Sequence, residues 1–359
     1  MKNRKLDPRL MGLLLLVLVI MGTGIYYQKA GAKPALLRGY LGGEKIGLFE
    51  DEEIKAILRK DYKIELDYSK AGSLDMVQLD QTGRDYLFPS SQTALEFYKE
   101  EKGTPLRSEI IFNTPIVLYS HKMVAEAFAQ KGLVTKENGV FYLDMKKLAE
   151  MISAGTSWAD VGLPELYGNV SIDTTDPSRS NSGNMFAGLL ANALNGGKTA
   201  DEQSLREILP ELNKIFANLG YMETSSADLF SQFLKMGVGA KPVIAGYESQ
   251  LLEFSVEQPD DFQKIRDDIV ILYPSPTVWS THVYIALTEH GSKGIDGLLD
   301  KKVQELAWTK HGFRTSIYRT GETQSSFQVE GLAADITKVM PMPDYRTMKQ
   351  ITDSLMASH

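Results

Sequence analysis

The chain has 359 residues, a net charge of −7, a pI near 5.4 and no cysteine. That length fills two lobes of ordinary domain size, and the acidic balance, with no Lys/Arg run after residue 9, argues against nucleic acid and against electrostatic adsorption to acidic lipid. Without thiols there are no disulfides and no lipid-modified cysteine, and a zinc ion would need histidines and carboxylates.

Residues 1–32 stand apart. Lys2, Arg4, Lys5 and Arg9 face a single acid, Asp7, and residues 10–27 then run apolar with only Gly and Thr interrupting. Such a segment spans a bilayer with its basic flank in the cytoplasm, leaving the body outside. Ala30-Gly31-Ala32 is a passable cleavage site, so a removable signal peptide and secretion form the alternative; the apolar run exceeds the usual signal length of roughly 7–15 residues, which favours an uncleaved single-pass anchor.

Beyond Lys33, strands alternate with helices, the pattern of α/β layers around mainly parallel sheets. A strand over 35–41 ends at Gly42-Gly43-Glu44-Lys45 and leads into an amphipathic helix over 46–60. A strand over 63–68 ends at Ala71-Gly72-Ser73, with a brief helix over 74–81. A strand over 85–88 ends at Pro89-Ser90-Ser91 before a helix over 92–102. Ligands in open α/β sheets bind just outside the carboxyl ends of strands, so Gly43, Glu44, Ser73, Ser90 and Ser91 converge on one edge, although Gly and Ser are also ordinary turn residues.

The run IIFNTPIVLYS is a long strand whose Pro115 suits an edge or a crossing between lobes. Helices over 122–131 and 145–154 follow. A strand over 170–173 then feeds DTTDPSRSNSG and a helix over 183–194. A Ser/Asn/Gly loop at a helix N-terminus offers backbone N–H groups, small hydroxyls and the positive end of the helix dipole, so Ser180, Asn181 and Ser182 form a cradle for an anionic or polar group, with Gly183 permitting close backbone approach. An ordinary N-cap has the same composition. Helices over 207–218 and 227–236 precede a strand over 242–247 that ends at Glu248-Ser249-Gln250, where Tyr247, Glu248 and Ser249 are candidate ligand contacts. The acidic stretch 257–268 reads as a solvated loop. A strand over 269–273 is followed by Pro274 and Pro276, a strand over 282–288, and a helix over 297–308 ending near His311-Gly312-Phe313-Arg314.

Catalytic signatures are missing. Gly246-Tyr247-Glu248-Ser249-Gln250 fails as a nucleophile elbow at its last position, and Gly196-Gly197-Lys198-Thr199 follows a helix rather than a strand, as a C-terminal turn does. The histidines at 121, 282, 290, 311 and 359 show no H-E-x-x-H or H-x-H spacing. His282 could face a cleft or serve the core, and Arg314 could pair with a carboxylate or an oxyanion. A non-enzymatic binder without cofactor or metal is the expectation.

In their order, DTTDPSRSNSG before a helix, the early PSS loop, FNTPIVLYS, YPSPTVWSTH and HGFR make residues 35 to about 314 resemble extracellular solute-binding proteins of ABC transporters with the type II periplasmic-binding architecture. The resemblance implies two α/β lobes, 33–118 plus 276–359 and 119–275, joined by two crossing segments. A small polar or anionic solute would sit in the cleft, hinge closure would bury it, and an ABC permease or another membrane complex would be the partner. Members in Gram-positive bacteria usually carry a lipid-anchoring cysteine, which this chain lacks. Uptake and a membrane-tethered sensor or accessory role therefore both stay open.

Overall fold

The computed structural model describes residues 17–19, 21, 33–315 and 327–357. Apart from 17–19 and 21, the apolar segment 10–27 lies outside the described residues, and among those described no helix is long and apolar enough to cross a membrane.

Two sheets share one long strand. In the first, β1 (Ala35–Leu41) lies parallel between β2 (Ile64–Lys70) and β3 (Tyr86–Phe88). β3 then pairs antiparallel with β9 (Trp279–Ala286), and β9 with the first part of β4 (Arg107–His121). From Ile116 onward β4 changes partners. It pairs antiparallel with β7 (Val243–Tyr247) on one side and β8 (Ile269–Pro274) on the other. β8 runs parallel to β6 (Val140–Leu143), which forms a hairpin with β5 (Val134–Glu137).

The exchange happens at a proline. Pro115 is the last residue of β4 opposite β9, facing Trp279, and Ile116 is the first opposite β7, facing Tyr247. A residue with no N–H to donate is tolerated where the ladder changes partner. The β8-to-β9 connection, with a cis peptide at Ser275-Pro276, is the second crossing. Both expected crossings are therefore present, and the fold is a two-lobe α/β arrangement. The first lobe packs Leu37, Phe49, Phe88, Tyr284 and Ile295 beneath its sheet. The second packs Phe128, Trp158, Phe186 and Leu212 on one face of its sheet and Tyr119, Phe233 and Tyr273 on the other.

Several elements differ from the sequence reading. The expected helix over 46–60 breaks at Asp51, whose carboxylate accepts from the backbone N–H of Glu53 at 2.8 Å and of Ile54 at 3.0 Å and so starts a new helix, Glu52–Ile57. The expected helix over 297–308 is Lys301–Thr309, capped by Asp300, and a separate helix, Glu289–Leu298, precedes it. The acidic stretch is no loop: Pro259 at the first turn begins a helix, Pro259–Ile265, that buries Phe262.

The largest difference concerns the C-terminus. Residues 276–359 were expected in the first lobe, yet helix Tyr345–Ala357 inserts Met348, Ile351 and Leu355 into the core of the second. Their i, i+3, i+7 spacing makes one apolar stripe. That stripe seats on helices Asn181–Leu194 and Leu205–Ala217 of the second lobe. Only the helix start reaches the first lobe, where Tyr345 stacks on Phe97 at 4.6 Å between ring centroids.

Candidate functional site

The strand ends of the two sheets face each other across a cleft. A cavity of about 290 Å³ lies there, lined from the first lobe by Gly43, Glu44, Lys70 and Ser73 and from the second by Arg179, Ser180, Asn181, Ser225 and Ser226. It adjoins a larger space of about 590 Å³ between Gly43–Gly47 and the helices Ser226–Met236, Glu248–Glu257 and Pro259–Ile265.

Two helices of the second lobe begin at the smaller cavity. Asn181–Leu194 has Ser180 as its N-cap and Ser226–Met236 has Ser225, and neither serine uses its side chain to cap its helix. Ser180 Oγ lies 3.1 Å from Ser182 Oγ, and Ser225 Oγ accepts from Lys70 Nζ at 3.3 Å across the cleft. Both helix N-termini therefore present backbone donors and a positive dipole end beside two cations, Lys70 and Arg179. Asp75 also lines this rim. Burial raises its pKa, although the Arg179 charge pulls the other way.

Beneath the rim lies a closed polar floor. Lys45 is fully buried and donates to Glu44 and to Ser90 Oγ, with its Nζ 3.2 Å from His282 Nδ1. Ser90 Oγ donates to Glu44. Burial works against the ionised Glu44 carboxylate, but the charge and hydrogen bond of Lys45, helped by Ser90, outweigh it and hold the pKa down to about 2. His282 is pushed well below its usual value by burial and then by the Lys45 charge, so it is neutral. Across the cleft, Asn181 Nδ2 donates to the Ser90 carbonyl at 2.9 Å and to the Tyr247 hydroxyl at 3.0 Å, while Ser280 Oγ donates to the same carbonyl at 2.7 Å. Burial, with Glu44 nearby, raises the Tyr247 hydroxyl well above its usual pKa.

This floor lacks the geometry of a nucleophile and its base. The Ser90 hydroxyl is directed at a carboxylate too weakly basic to take its proton, and the His282 nitrogens face Lys45 and Ser280.

The structure brings Gly43, Glu44, Ser73, Ser90, Ser180, Asn181, Tyr247 and His282 to the cleft or directly beneath it. Others go elsewhere. Ser91 Oγ accepts from the Thr93 N–H at 3.1 Å as a helix cap, and Ser182 Oγ turns inward to Thr175 Oγ1 at 2.7 Å. Ser249 is buried, its N–H donating to Thr114 Oγ1 at 3.2 Å. A Cβ on Gly183 would overlap the Thr175 carbonyl, so that glycine serves close packing of its own helix. Glu248, expected as a ligand contact, is fully buried in a structural pair instead. It accepts from Arg314 Nε at 2.6 Å, Arg314 Nη2 at 2.8 Å and the Tyr273 hydroxyl at 2.6 Å. Arg314 also donates to the carbonyls of Ala333 and Ala334, which ties helix Glu248–Glu257 to the segment at 333–334.

The sequence reading missed Lys45, Lys70, Arg179, Ser225 and Ser226. Lys45 and Arg179 stood inside the quoted loops GGEK and DPSRSNSG, and Thr224-Ser225-Ser226 has the same small-polar signature before a helix as Ser180–Ser182.

No family model matches the chain, and no curated protein matches it. Solved structures do. A periplasmic thiamin-binding protein covers 91% of this chain and is covered to 99%, with a TM-score of 0.58 and 10% identity. The substrate-binding protein of an ABC transporter from Agrobacterium tumefaciens covers 91% of this chain and is covered to 96%, with a TM-score of 0.55 and 13% identity. The sulfate-binding protein SubI from Mycobacterium tuberculosis H37Rv covers 89% and is covered to 99%, with a TM-score of 0.55 and 12% identity. At these identities the likeness concerns the fold, and this chain has the two-lobe fold of the periplasmic substrate-binding proteins of ABC transporters.

Proposed function

We propose that the chain is an extracytoplasmic solute-binding protein that holds a small anionic or polar solute in the interlobe cleft for ABC-type uptake. The observation that carries this reading is the cavity of about 290 Å³ where two helix N-termini that lack a side-chain cap meet Lys70 and Arg179. Convergent N–H donors and cations replace the hydration shell of an anion without covalent chemistry, and a modest negative global charge does not cancel so local a field. The solved neighbours named for thiamin, sulfate and an unspecified ABC substrate share the fold and fix no solute for this chain.

Binding in the cleft couples to closure. The first-lobe Ser90 carbonyl accepts from Asn181, and Lys70 reaches Ser225, so a solute lying between these groups favours the lobes together. The apolar segment at 10–27, in this reading, tethers the body to the outer face of the membrane, and a permease is the partner. A panel of oxyanions, carboxylates, amino acids, short peptides and sugars, scored by the rise in melting temperature, tests the proposal. Stabilisation by an anion or a compact polar solute is expected; no shift from any class would overturn it.

A further inference from the structure

At the seam on the far side of Gly47, a second polar cluster joins the lobes. His311 follows helix Lys301–Thr309 and precedes Phe313, both anchored in the core of the first lobe. Its ring is 1% exposed. Nδ1 lies 2.7 Å from Oε1 of Glu253, which belongs to helix Glu248–Glu257 of the second lobe. Glu257 stands one helical turn beyond Glu253 on the same face. One donor atom from each of Glu253, Glu257 and His311 falls within 4.8 Å of the others.

A second observation concerns the other ring nitrogen. His311 Nε2 is buried and makes no hydrogen bond, although Asp51 Oδ2 is 3.5 Å away. Asp51 is itself fixed, because its other oxygen caps helix Glu52–Ile57 and Lys310 Nζ holds Oδ2 at 3.0 Å. A histidine with one nitrogen toward a carboxylate pair and the other toward an anchored carboxylate has the arrangement of a metal ligand with its orienting acid. Among the neighbouring cations, Lys310 serves Asp51 and Glu53, and Lys264 serves Asp261.

We propose that Glu253, Glu257 and His311 form a divalent-cation site of the zinc type that bridges the two lobes, with Asp51 orienting the imidazole. One nitrogen and two carboxylates supply three ligands and leave a fourth position for water, and imidazole favours zinc over calcium or magnesium. Donors around tetrahedral zinc lie roughly 3.3 Å apart for bonds of about 2.0–2.1 Å, so a rotation of the solvent-exposed Glu257 side chain closes the remaining distance. The adjoining cavity of about 590 Å³, lined by both glutamates, is the entry path.

The test uses the full chain stripped with EDTA and titrated calorimetrically with Zn²⁺ near pH 7.5, with Co²⁺ as a spectroscopic stand-in. One equivalent should bind, with visible Co²⁺ absorption of a low-symmetry N/O site. Glu257→Gln, at an exposed position that leaves the fold intact, and His311→Ala should each weaken Zn²⁺ by at least about tenfold, and Asp51→Asn by about tenfold through the ring it orients. His290→Ala, at an exposed surface position, should change nothing. Absence of saturable binding, or an affinity unaltered by Glu257→Gln, would overturn the proposal.

Discussion

The floor and the rim of the cleft are built from the same residue types and do opposite things. On the floor, Lys45, Ser90 and His282 are buried, Glu44 lies at the bottom of the cavity it lines, and the four answer one another's charges and hydrogen bonds. On the rim, Ser180, Ser225, Lys70 and Arg179 line open space, and two helix N-termini there carry no side-chain cap. The lesson is that a polar residue at a strand end is available to a solute only when the protein has not already used its hydrogen bonds. The floor sets the shape and charge of the cleft; the rim meets what enters it.

Substitutions should separate the two by readout. The largest effect belongs to the floor. Lys45→Met leaves Glu44 ionised and buried with its principal partner gone, and breaking a buried pair from one side costs about 3–5 kcal/mol. The denaturant midpoint should fall sharply while the rim stays intact. Rescue by the double change Glu44→Gln with Lys45→Met would locate the cost in the uncompensated charge, whereas a single variant of normal stability would show that the floor is not closed.

Acid should act on the same cluster. His282 has a folded pKa depressed below 6.5, so the unfolded chain takes up that proton first and stability declines as pH falls below that value. Glu44, depressed from 4.5 to about 2, contributes fully above 4.5 and loses its contribution between 4.5 and 2, a total of about 3 kcal/mol. Chemical denaturation across pH 7 to 3 should therefore show a shallow loss followed by a steeper one. A flat profile would contradict the ionised, buried Glu44.

The rim should give smaller changes in stability and clear ones in binding. Arg179 is exposed, so Arg179→Ala should alter stability by less than about 0.5 kcal/mol. It should weaken an anionic solute by about tenfold or more, since a hydrogen bond to a charged group contributes roughly 1.5–3 kcal/mol. Equal loss of stability and affinity would place Arg179 with the floor.

The sequence showed the crossings and the loops more readily than the side-chain orientations. Pro115 and the Pro274/Pro276 pair marked where strands pass between lobes, because proline's missing N–H is a local property. Small polar residues marked the strand ends for the same reason. Whether Glu248 faced the cleft or Arg314 depended on a contact between residues 66 positions apart, which no local pattern encodes. The same holds for helix Tyr345–Ala357: its apolar stripe is legible, but the core it fills is set by the groove on helices Asn181–Leu194 and Leu205–Ala217.

Closure around a solute is the central claim, and a chain without cysteine makes it directly measurable. Spin labels introduced as Lys60→Cys in the first lobe and Lys235→Cys in the second report the separation of the lobes by pulsed electron resonance. With the stabilising solute, the doubly labelled chain should give a shorter and narrower distance distribution than without it. A distribution unchanged by saturating solute would contradict the account.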